Sequence, residues 1–260
     1  NSSTFVDCHS TNADSHAIYA TDSAVNINMF DVSFESTQDG KPLYPIYYEP
    51  RDLSLTNRAF ENVRSATPVF AFDSSQYDSV TFTNCNIKNC QVPDYIIESN
   101  IDSFSFQFST IEFDSSLVEN VQIGAIKLMN NQQRANIEFS QFIRINSNGS
   151  ILCQPNNNLE LNIQNCIFDD CKSIENQPAC FDLTLAESNL DFRDNIIQNM
   201  QSNSFSFGRF DLSSDSITLT NITFISNSAS TTQFITDNTP LDFSDSVTTI
   251  IFYQCKWYYN

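Results

Sequence analysis

Glycine is scarce in this chain, with 4 of 260 residues, whereas average usage is about 7%. Nucleotide-binding loops, phosphate-binding loops and nucleophile elbows all require glycine, and none of the patterns GxGxxG, GxxxxGKS, GxxxxGKT or GxSxG occurs. The histidines are His9 and His16 alone, so a catalytic triad or a histidine-based metal site would need one of these two. These absences exclude the common nucleotide-dependent and hydrolase motifs, and we expect no cofactor.

Basic residues are also few: 12 Lys and Arg face 31 Asp and Glu, for a net charge of −19 at pH 7. Because phosphate contacts need clustered basic side chains, we expect no nucleic-acid partner. No apolar run approaches the roughly 18 residues of a membrane-spanning helix, so we expect no direct membrane insertion. In contrast, 23 Phe and 40% hydrophobic residues require a packed interior.

An internal repeat runs through the whole sequence. Residues 79–91 and 160–172 share the order apolar, polar, apolar, polar, Asn, Cys, any, apolar, any, Asn or Asp, Cys. We count ten copies, spaced by 22 to 33 residues, and they leave no room for a second domain. The sequence therefore predicts a single domain over residues 1–260. The copies are anchored at Ser3, Val25, Leu53, Val80, Phe104, Ile137, Leu161, Leu190, Ile217 and Ile250.

Each copy contains the pattern of a short strand. Apolar and polar residues alternate in Val80–Phe82, Leu190–Phe192 and Ile217–Leu219, which is typical of a half-buried strand. No stretch keeps the spacing of an amphipathic helix for three turns. Short strands in repeats of this length favour stacked coils whose equivalent strands pair in parallel. The predicted fold is all-β: a single-stranded right-handed parallel β-helix, a solenoid of about ten coils, with the handedness taken from known solenoids.

Equivalent positions in the copies predict two rows along the solenoid. The first is an internal row of apolar side chains, and the second is a row of Asn and Asp at the corners. Asn and Asp tolerate the left-handed backbone of a tight corner, and stacked Asn amides hydrogen-bond along the axis. The predicted internal apolar row is Val32, Phe60, Ile87, Ile111, Phe168, Ile197, Phe224 and Trp257. The predicted corner row is Asn57, Asn84, Asn165, Asp194 and Asn221.

Two kinds of unit carry a resemblance to a known family. The first kind has an apolar residue followed three positions later by Asn or Cys, and it occurs in Phe224–Asn227, Phe168–Cys171 and Ile87–Cys90. The second kind has small residues followed by an apolar residue, and it occurs in Gly124–Ile126 and Gly149–Ile151. They resemble the FxxN and GGA-Ile/Leu/Val repeats of polymorphic outer-membrane-protein-like surface proteins, within the pectin-lyase-like right-handed β-helices. One unit has the strict FxxN, and the Gly-Gly pair is missing. The resemblance implies an adhesin or surface stalk and transfers no catalytic residue.

The cysteines form an even set of eight. Disulfides are one interpretation, either within one coil (Cys85 with Cys90, Cys166 with Cys171) or between neighbouring coils (Cys153 with Cys180). Buried thiols that fill space as small apolar groups are the other. The sequence lacks CxxC, which disfavours a zinc site, and we expect no bound metal. The remaining two cysteines are Cys8 and Cys255.

Carboxylates on neighbouring coils suggest an alternative function. Asp169, Asp170, Asp191 and Asp194 could converge on one face, as in a polysaccharide lyase or glycoside hydrolase with an Asp-lined groove. Asp170 and Asp194, however, occupy positions that are Asn in other copies. A role in the turn therefore explains both residues without catalysis, and we expect no catalytic residue.

Two further features concern the surface. Sequons at Asn1, Asn148 and Asn221 are candidate N-glycosylation sites. Tyr44, Tyr47 and Tyr48 lie among three prolines outside the repeat pattern. They predict either a contact loop for sugar or protein, or a loop packed on the rod.

These observations favour a non-catalytic structural or adhesive rod of an extracellular or cell-surface protein, which presents loops for contact with protein or glycan partners. The first copy begins at Ser3 and the last ends inside its own unit at Asn260. Because an uncapped solenoid end exposes backbone and apolar side chains, we expect a segment of a longer solenoid or adjoining segments stacked end to end. The alternatives are the carbohydrate-active enzyme and a glycan-binding module.

Overall fold

A computed structural model describes the strands and corners of the solenoid. The described residues are 3–6, 18–20, 32–35, 46–48, 52–61, 68–73, 78–90, 92, 95–113, 124–129, 134–147, 150–154, 160–173, 181–184, 189–202, 208–211, 216–229, 235–237 and 249–258. Within them every strand pairing is parallel, and no helix is long and apolar enough to cross a membrane. The prediction of an all-β parallel β-helix is confirmed, whereas the handedness and the number of coils stay predictions.

Three large sheets run along the solenoid, and the chain visits them in the order A, B, C. Sheet A contains Asp52–Thr56, Ser79–Thr83, Ser103–Gln107, Arg134–Glu138, Glu160–Gln164, Asn189–Arg193, Ser216–Thr220 and Thr249–Tyr253. Sheet B contains Ser3–Val6, Val32–Glu35, Ala59–Glu61, Asn86–Lys88, Thr110–Glu112, Gln141–Ile143, Ile167–Asp169, Ile196–Gln198, Thr223–Ile225 and Lys256–Tyr258. Sheet C contains Phe70–Asp73, Tyr95–Asn100, Gly124–Leu128, Leu152–Gln154, Phe181–Thr184, Gly208–Asp211 and Ile235–Asp237.

Two smaller sheets complete the pairing. Sheet D lies between B and C along the chain and contains Asn146–Ser147, Lys172–Ser173, Gln201–Ser202 and Ser228–Ala229. Sheet E contains Ile18–Ala20 and Ile46–Tyr48.

Successive coils pair in register, which aligns the apolar residues of each strand. In sheet A, Val80 pairs with Phe104 and Phe82 with Phe106, and all four side chains are buried. The polar residues between them face outward because side chains alternate along a strand. The predicted period-two pattern is therefore the physical basis of the core.

The predicted internal row corresponds to sheet B, with two errors, at Trp257 and at Val32. Trp257 keeps the register and stacks on Phe224, but its side chain is 46% exposed and not internal. Phe34, not Val32, pairs with Phe60, and Val32 pairs with Ser3. A shift of two residues keeps every side chain on its face of the strand, so alternation alone did not fix the register. The structure also adds Phe142 to this row, where its ring stacks on Phe168 with centroids 4.9 Å apart.

The repeat anchors show the same two-residue ambiguity. Ala135 pairs with Leu161, and Ile137 pairs with Ile163, so the predicted anchor Ile137 is wrong by two positions. Ser3 is also wrong as an equivalent of Leu53, because its strand belongs to sheet B. Val25 lies outside the described residues.

A close contact in sheet C makes glycine necessary at one position. Gly124 pairs with Tyr95 of the preceding coil, and a Cβ atom at residue 124 would overlap the Tyr95 ring. Tyr95 is buried, so the ring has little space in which to move.

We therefore expect Gly124→Ala to lower the free energy of unfolding by about 1–3 kcal/mol through overpacking. Chemical denaturation followed by circular dichroism measures the effect. The double variant Tyr95→Leu/Gly124→Ala removes the obstructing ring and should lose less than the two single variants add up to. Additive losses would contradict this packing.

Candidate functional site

The corner between sheets A and B repeats one backbone conformation along the solenoid, which places one residue of each coil in a row on the surface. After each described sheet A strand one residue has a positive φ, between 50° and 58°. The corner row predicted from the sequence is confirmed at Asn57, Asn84, Asn165, Asp194 and Asn221. Sequence reasoning missed three members of this row, which are Phe108, Phe139 and Gln254.

The Asn84 corner is bonded to the next coil through its backbone and to the preceding coil through its side chain. The Asn84 N–H donates to the Gln107 carbonyl at 3.0 Å, and the Asn84 amide Nδ2 donates to Asn57 Oδ1 at 2.7 Å. Asn221 repeats the arrangement, with Nδ2 donating to Asp194 Oδ1 at 2.6 Å. The bond between asparagine amides predicted for this row is therefore present at Asn84, and an amide–carboxylate bond takes its place at Asn221.

Two adjacent corners carry phenylalanine instead. Phe108 and Phe139 have φ values of 50° and 51°, and their N–H groups make the same 3.0 Å bonds to the next coil as the Asn corners do. Their side chains are 57% and 49% exposed. The two rings lie parallel, with centroids 4.9 Å apart and planes within 4°. The result is an aromatic pair on the outside of the solenoid, which we call the Phe pair.

Polar side chains of sheet A border the Phe pair. Gln107 and Glu138 immediately precede the two phenylalanines, and Gln107 Nε2 donates to Glu138 Oε2 at 3.1 Å. The other oxygen of Glu138 accepts from Asn162 Nδ2 at 2.7 Å. Amide and carboxylate groups therefore continue along the surface beside the rings.

At several corners the next residue carries a donor that caps a backbone carbonyl of a neighbouring coil, whereas Ile222 fills the same position with an apolar side chain. Cys85 Sγ donates to the Leu55 carbonyl at 3.3 Å. Ser140 Oγ lies 3.1 Å from the Phe106 carbonyl, and Asn195 Nδ2 lies 2.9 Å from the Ile163 carbonyl. Cysteine, serine and asparagine thus meet one requirement, a buried donor for a buried acceptor.

The cysteines whose side chains are described carry free thiols, four of them buried and Cys255 partly exposed. Cys85, Cys90, Cys166, Cys171 and Cys255 carry thiols and form no disulfide. The intra-coil bridges considered for the first four are therefore absent. Cys153 lies in a sheet C strand, whereas Cys180 and Cys8 lie outside the described residues, so the Cys153–Cys180 bridge stays a prediction.

Burial disfavours the thiolate form of these cysteines. It raises the pKa of Cys166 and of Cys171 to about 12 in each case, and it also raises the pKa values of Cys85 and Cys255. Since the thiolate is the nucleophile and the metal ligand, a protonated thiol at neutral pH serves neither role. Within the described part of the chain, no group of three or more His, Cys, Asp or Glu residues could hold a metal ion.

The four aspartates of the enzyme alternative do not lie at one place. Asp191 is in the middle of a sheet A strand and Asp194 is at the corner that follows it, whereas Asp169 and Asp170 are at the far end of a sheet B strand. Asp170 and Asp194 both have positive φ, which confirms their role in the turn.

Three of these aspartates are engaged by neighbouring side chains. Asp191 accepts from Gln164 Nε2 at 2.9 Å and pairs with Arg193 at 2.7 Å. Asp194 accepts from Asn221, and Asp169 accepts from Asn199 Nδ2 at 2.8 Å.

The remaining surface candidates are only partly within the described residues. Asn221 is an exposed corner residue whose amide already bonds to Asp194, whereas Asn1 and Asn148 lie outside. Tyr47 and Tyr48 belong to the sheet E strand Ile46–Tyr48, so they lie in a strand and not in a connecting loop. Tyr44 lies outside the described residues.

Comparison with known proteins gives no relative. No family model matches the chain. No curated protein and no solved structure matches it either.

Replacing a corner asparagine tests the amide ladder. We expect Asn84→Ala to lower the free energy of unfolding by about 1–2 kcal/mol, because alanine disfavours a left-handed backbone and the bond to Asn57 is lost. Asn84→Gly should lose less, since glycine tolerates this φ. Asn86→Ala, at an exposed strand position two residues away, is the control. Equal losses at residues 84 and 86, measured by urea denaturation, would contradict the assignment.

The raised thiol pKa values predict a loss of stability at high pH. Because the unfolded chain releases these protons near pH 9 and the folded chain holds them to about 12, stability is full below pH 9 and falls as the pH rises above it. The slope is about 1.4 kcal/mol per pH unit for each thiol.

Serine variants separate this effect from the titration of tyrosine and lysine. Cys166→Ser and Cys171→Ser keep a donor of the kind found at Ser140, and each should make the decline in unfolding free energy between pH 9 and 11 shallower. An unchanged slope in both variants would show that the thiols are not the cause.

Proposed function

We propose that this β-helix is a non-catalytic structural and adhesive rod of an extracellular or cell-surface protein. The observation that carries the proposal is the use of the surface carboxylates. Glu138, Asp169, Asp191 and Asp194 each accept a hydrogen bond from a side chain of a neighbouring coil. Side chains engaged in this way hold coils together and are poorly placed to move protons in a reaction.

Stiffness follows from the same contacts. Each described coil is bonded to its neighbours through in-register backbone pairs and through the corners. The net charge of −19 makes such rods repel one another and favours solubility. These properties suit a spacer that holds contact surfaces away from a cell.

Two further features support an extracellular location. The thiols at Cys166 and Cys171 are buried and protonated, so they would persist in an oxidising compartment. The FxxN-like units resemble those of surface-protein β-helices. The partners we propose are proteins or glycans at the cell surface, or adjoining solenoid segments stacked end to end.

The carbohydrate-active enzyme alternative has a direct test. Purified protein is incubated with polygalacturonate, xylan and galactomannan, with and without calcium ions. We expect neither new reducing ends nor unsaturated products that absorb in the ultraviolet. Product formed by the native chain and lost in Asp191→Asn would overturn the non-catalytic proposal. Asp52→Asn, at an exposed sheet A position outside this group of four aspartates, is the matched control.

Location is tested separately by labelling intact cells of the source organism with a membrane-impermeant biotin reagent. We expect the chain to be labelled to the same extent before and after the cells are opened. Labelling that requires opened cells would refute the surface role and leave the structural description unchanged.

A further inference from the structure

The coil at one end of sheets A and B exposes side chains at positions that the preceding coil buries. This coil contains Thr249–Tyr253 in sheet A and Lys256–Tyr258 in sheet B. Both strands stand last in their sheets, and each has a described neighbour on one side only. We call the outer side of this coil the end face. An edge strand presents backbone N–H and C=O groups to any strand that approaches it.

Comparison with the preceding coil shows what normally covers such a face. Phe252 pairs with Leu219, and Trp257 pairs with Phe224. Leu219 and Phe224 are fully buried, whereas Phe252 is 39% and Trp257 46% exposed. Leu219 and Phe224 are covered by the coil at residues 249–258. A further layer of the same kind would bury Phe252 and Trp257 in turn.

The ring geometry presents an aromatic surface along the axis of the solenoid. Trp257 stacks on Phe224 with centroids 4.2 Å apart and planes 19° apart, so the opposite face of the indole is turned toward the end face. The Phe252 ring lies beside Trp257, with centroids 5.4 Å apart. Ile251, Tyr253 and Tyr258 of the same coil are also exposed.

The area of the end face suits contact with another protein surface. A buried aromatic side chain removes about 150–250 Å² from water, so the four partly exposed aromatic residues of this coil present roughly 350–400 Å². A standard interface needs about 800 Å² on each partner. The exposed rings therefore supply nearly half of that area, and Ile251 and the two strand edges add to it.

The end face lacks the acidic side chains that are abundant elsewhere. Residues 249–258 contain no Asp or Glu, in a chain with 31 of them. Aromatic residues without carboxylates are typical of the core of a protein interface. A second copy that meets this face therefore encounters no acidic group on the two strands, while the net charge of −19 opposes its approach at a distance.

The opposite edge of sheet A differs from the end face. The strand at that edge is Asp52–Thr56, and its inward residues Leu53 and Leu55 are 3% and 0% exposed. A head-to-tail stack requires two open ends, so the described residues favour contact between two identical end faces. Such a contact is isologous and closes at two chains. Edge strands related by its two-fold axis run antiparallel, as in an ordinary antiparallel pair.

We propose that the end face is the interface of a symmetric dimer, in which the coil at residues 249–258 stacks on the same coil of a second copy. The inference rests on the end-to-end stacking named in the proposed function, and it specifies the partner, the contact face and the symmetry.

Fluorescence of the native chain gives the first test. Trp257 is the single tryptophan, so its emission reports on the end face alone. Sedimentation velocity and emission are measured over one concentration series, at low and at high salt. We expect the mass to rise to that of two chains and no further, while the emission shifts to shorter wavelength and quenching by acrylamide decreases. High salt should favour association, because it screens the repulsion between acidic chains.

Charged variants locate the contact. Phe252→Lys places like charges on both sides of a two-fold interface and should weaken association at least tenfold. Phe108→Lys replaces an exposed phenylalanine on a lateral corner. It is the matched control and should associate as the native chain does. Circular dichroism of both variants confirms that they are folded.

Cross-linking of the native protein determines which ends meet, independently of any variant. Lys256 is exposed on the end face. A mixture of isotope-labelled and unlabelled chains is treated with a short reagent that joins two amines, and linked peptides are identified by mass spectrometry. We expect links between Lys256 of one copy and Lys256 of the other.

Several results would overturn the proposal. These are a single-chain mass at every concentration, growth beyond two chains, equal association of Phe252→Lys and the native chain, or links from Lys256 only to other lysines of the second copy. None of them bears on the labelling and product assays, which decide the rod function separately.

Discussion

The left-handed corner after each sheet A strand is the constraint on which the rest of the structure depends. It turns the chain sharply enough for a three-residue strand of sheet B to follow, and it aligns the apolar positions of successive coils. Its N–H bonds to the next coil whether the residue is Asn84 or Phe108. At Cys85, Ser140 and Asn195 the residue that follows the corner caps a carbonyl of a neighbouring coil, so one backbone conformation places both a core contact and a surface residue.

The sequence predicted the features that follow from residue type. Alternation predicted the strands, and the left-handed preference of asparagine predicted the corners at Asn57 and Asn165. Alternation did not determine the register at Val32 or Ile137, because a two-residue shift keeps every side chain on the same face of its strand. Phe108 and Phe139 were missed for a different reason: phenylalanine has no preference for such a corner, and only the alignment of the neighbouring coils identifies the position. The segment that contains Tyr47 and Tyr48 was predicted to be a loop because prolines surround it. Its pairing with Ile18–Ala20 shows that it is a strand.

The interior and the surface of the solenoid use different side chains for their hydrogen bonds. Inside, cysteine thiols serve as hydrogen-bond donors and are kept protonated by burial. Outside, carboxylates and amides bond from coil to coil. The Phe pair departs from both patterns, since it is apolar and exposed.

The inward position after the corner has a consequence for how such a chain tolerates mutation. Cys85, Ser140 and Asn195 occupy equivalent positions and cap carbonyls through different atoms. An exchange among these three residue types preserves the donor, and Ile222 shows that an apolar side chain is also accepted at this position. In such a solenoid, we expect the fold to depend at these positions on the type of side chain and not on one particular residue.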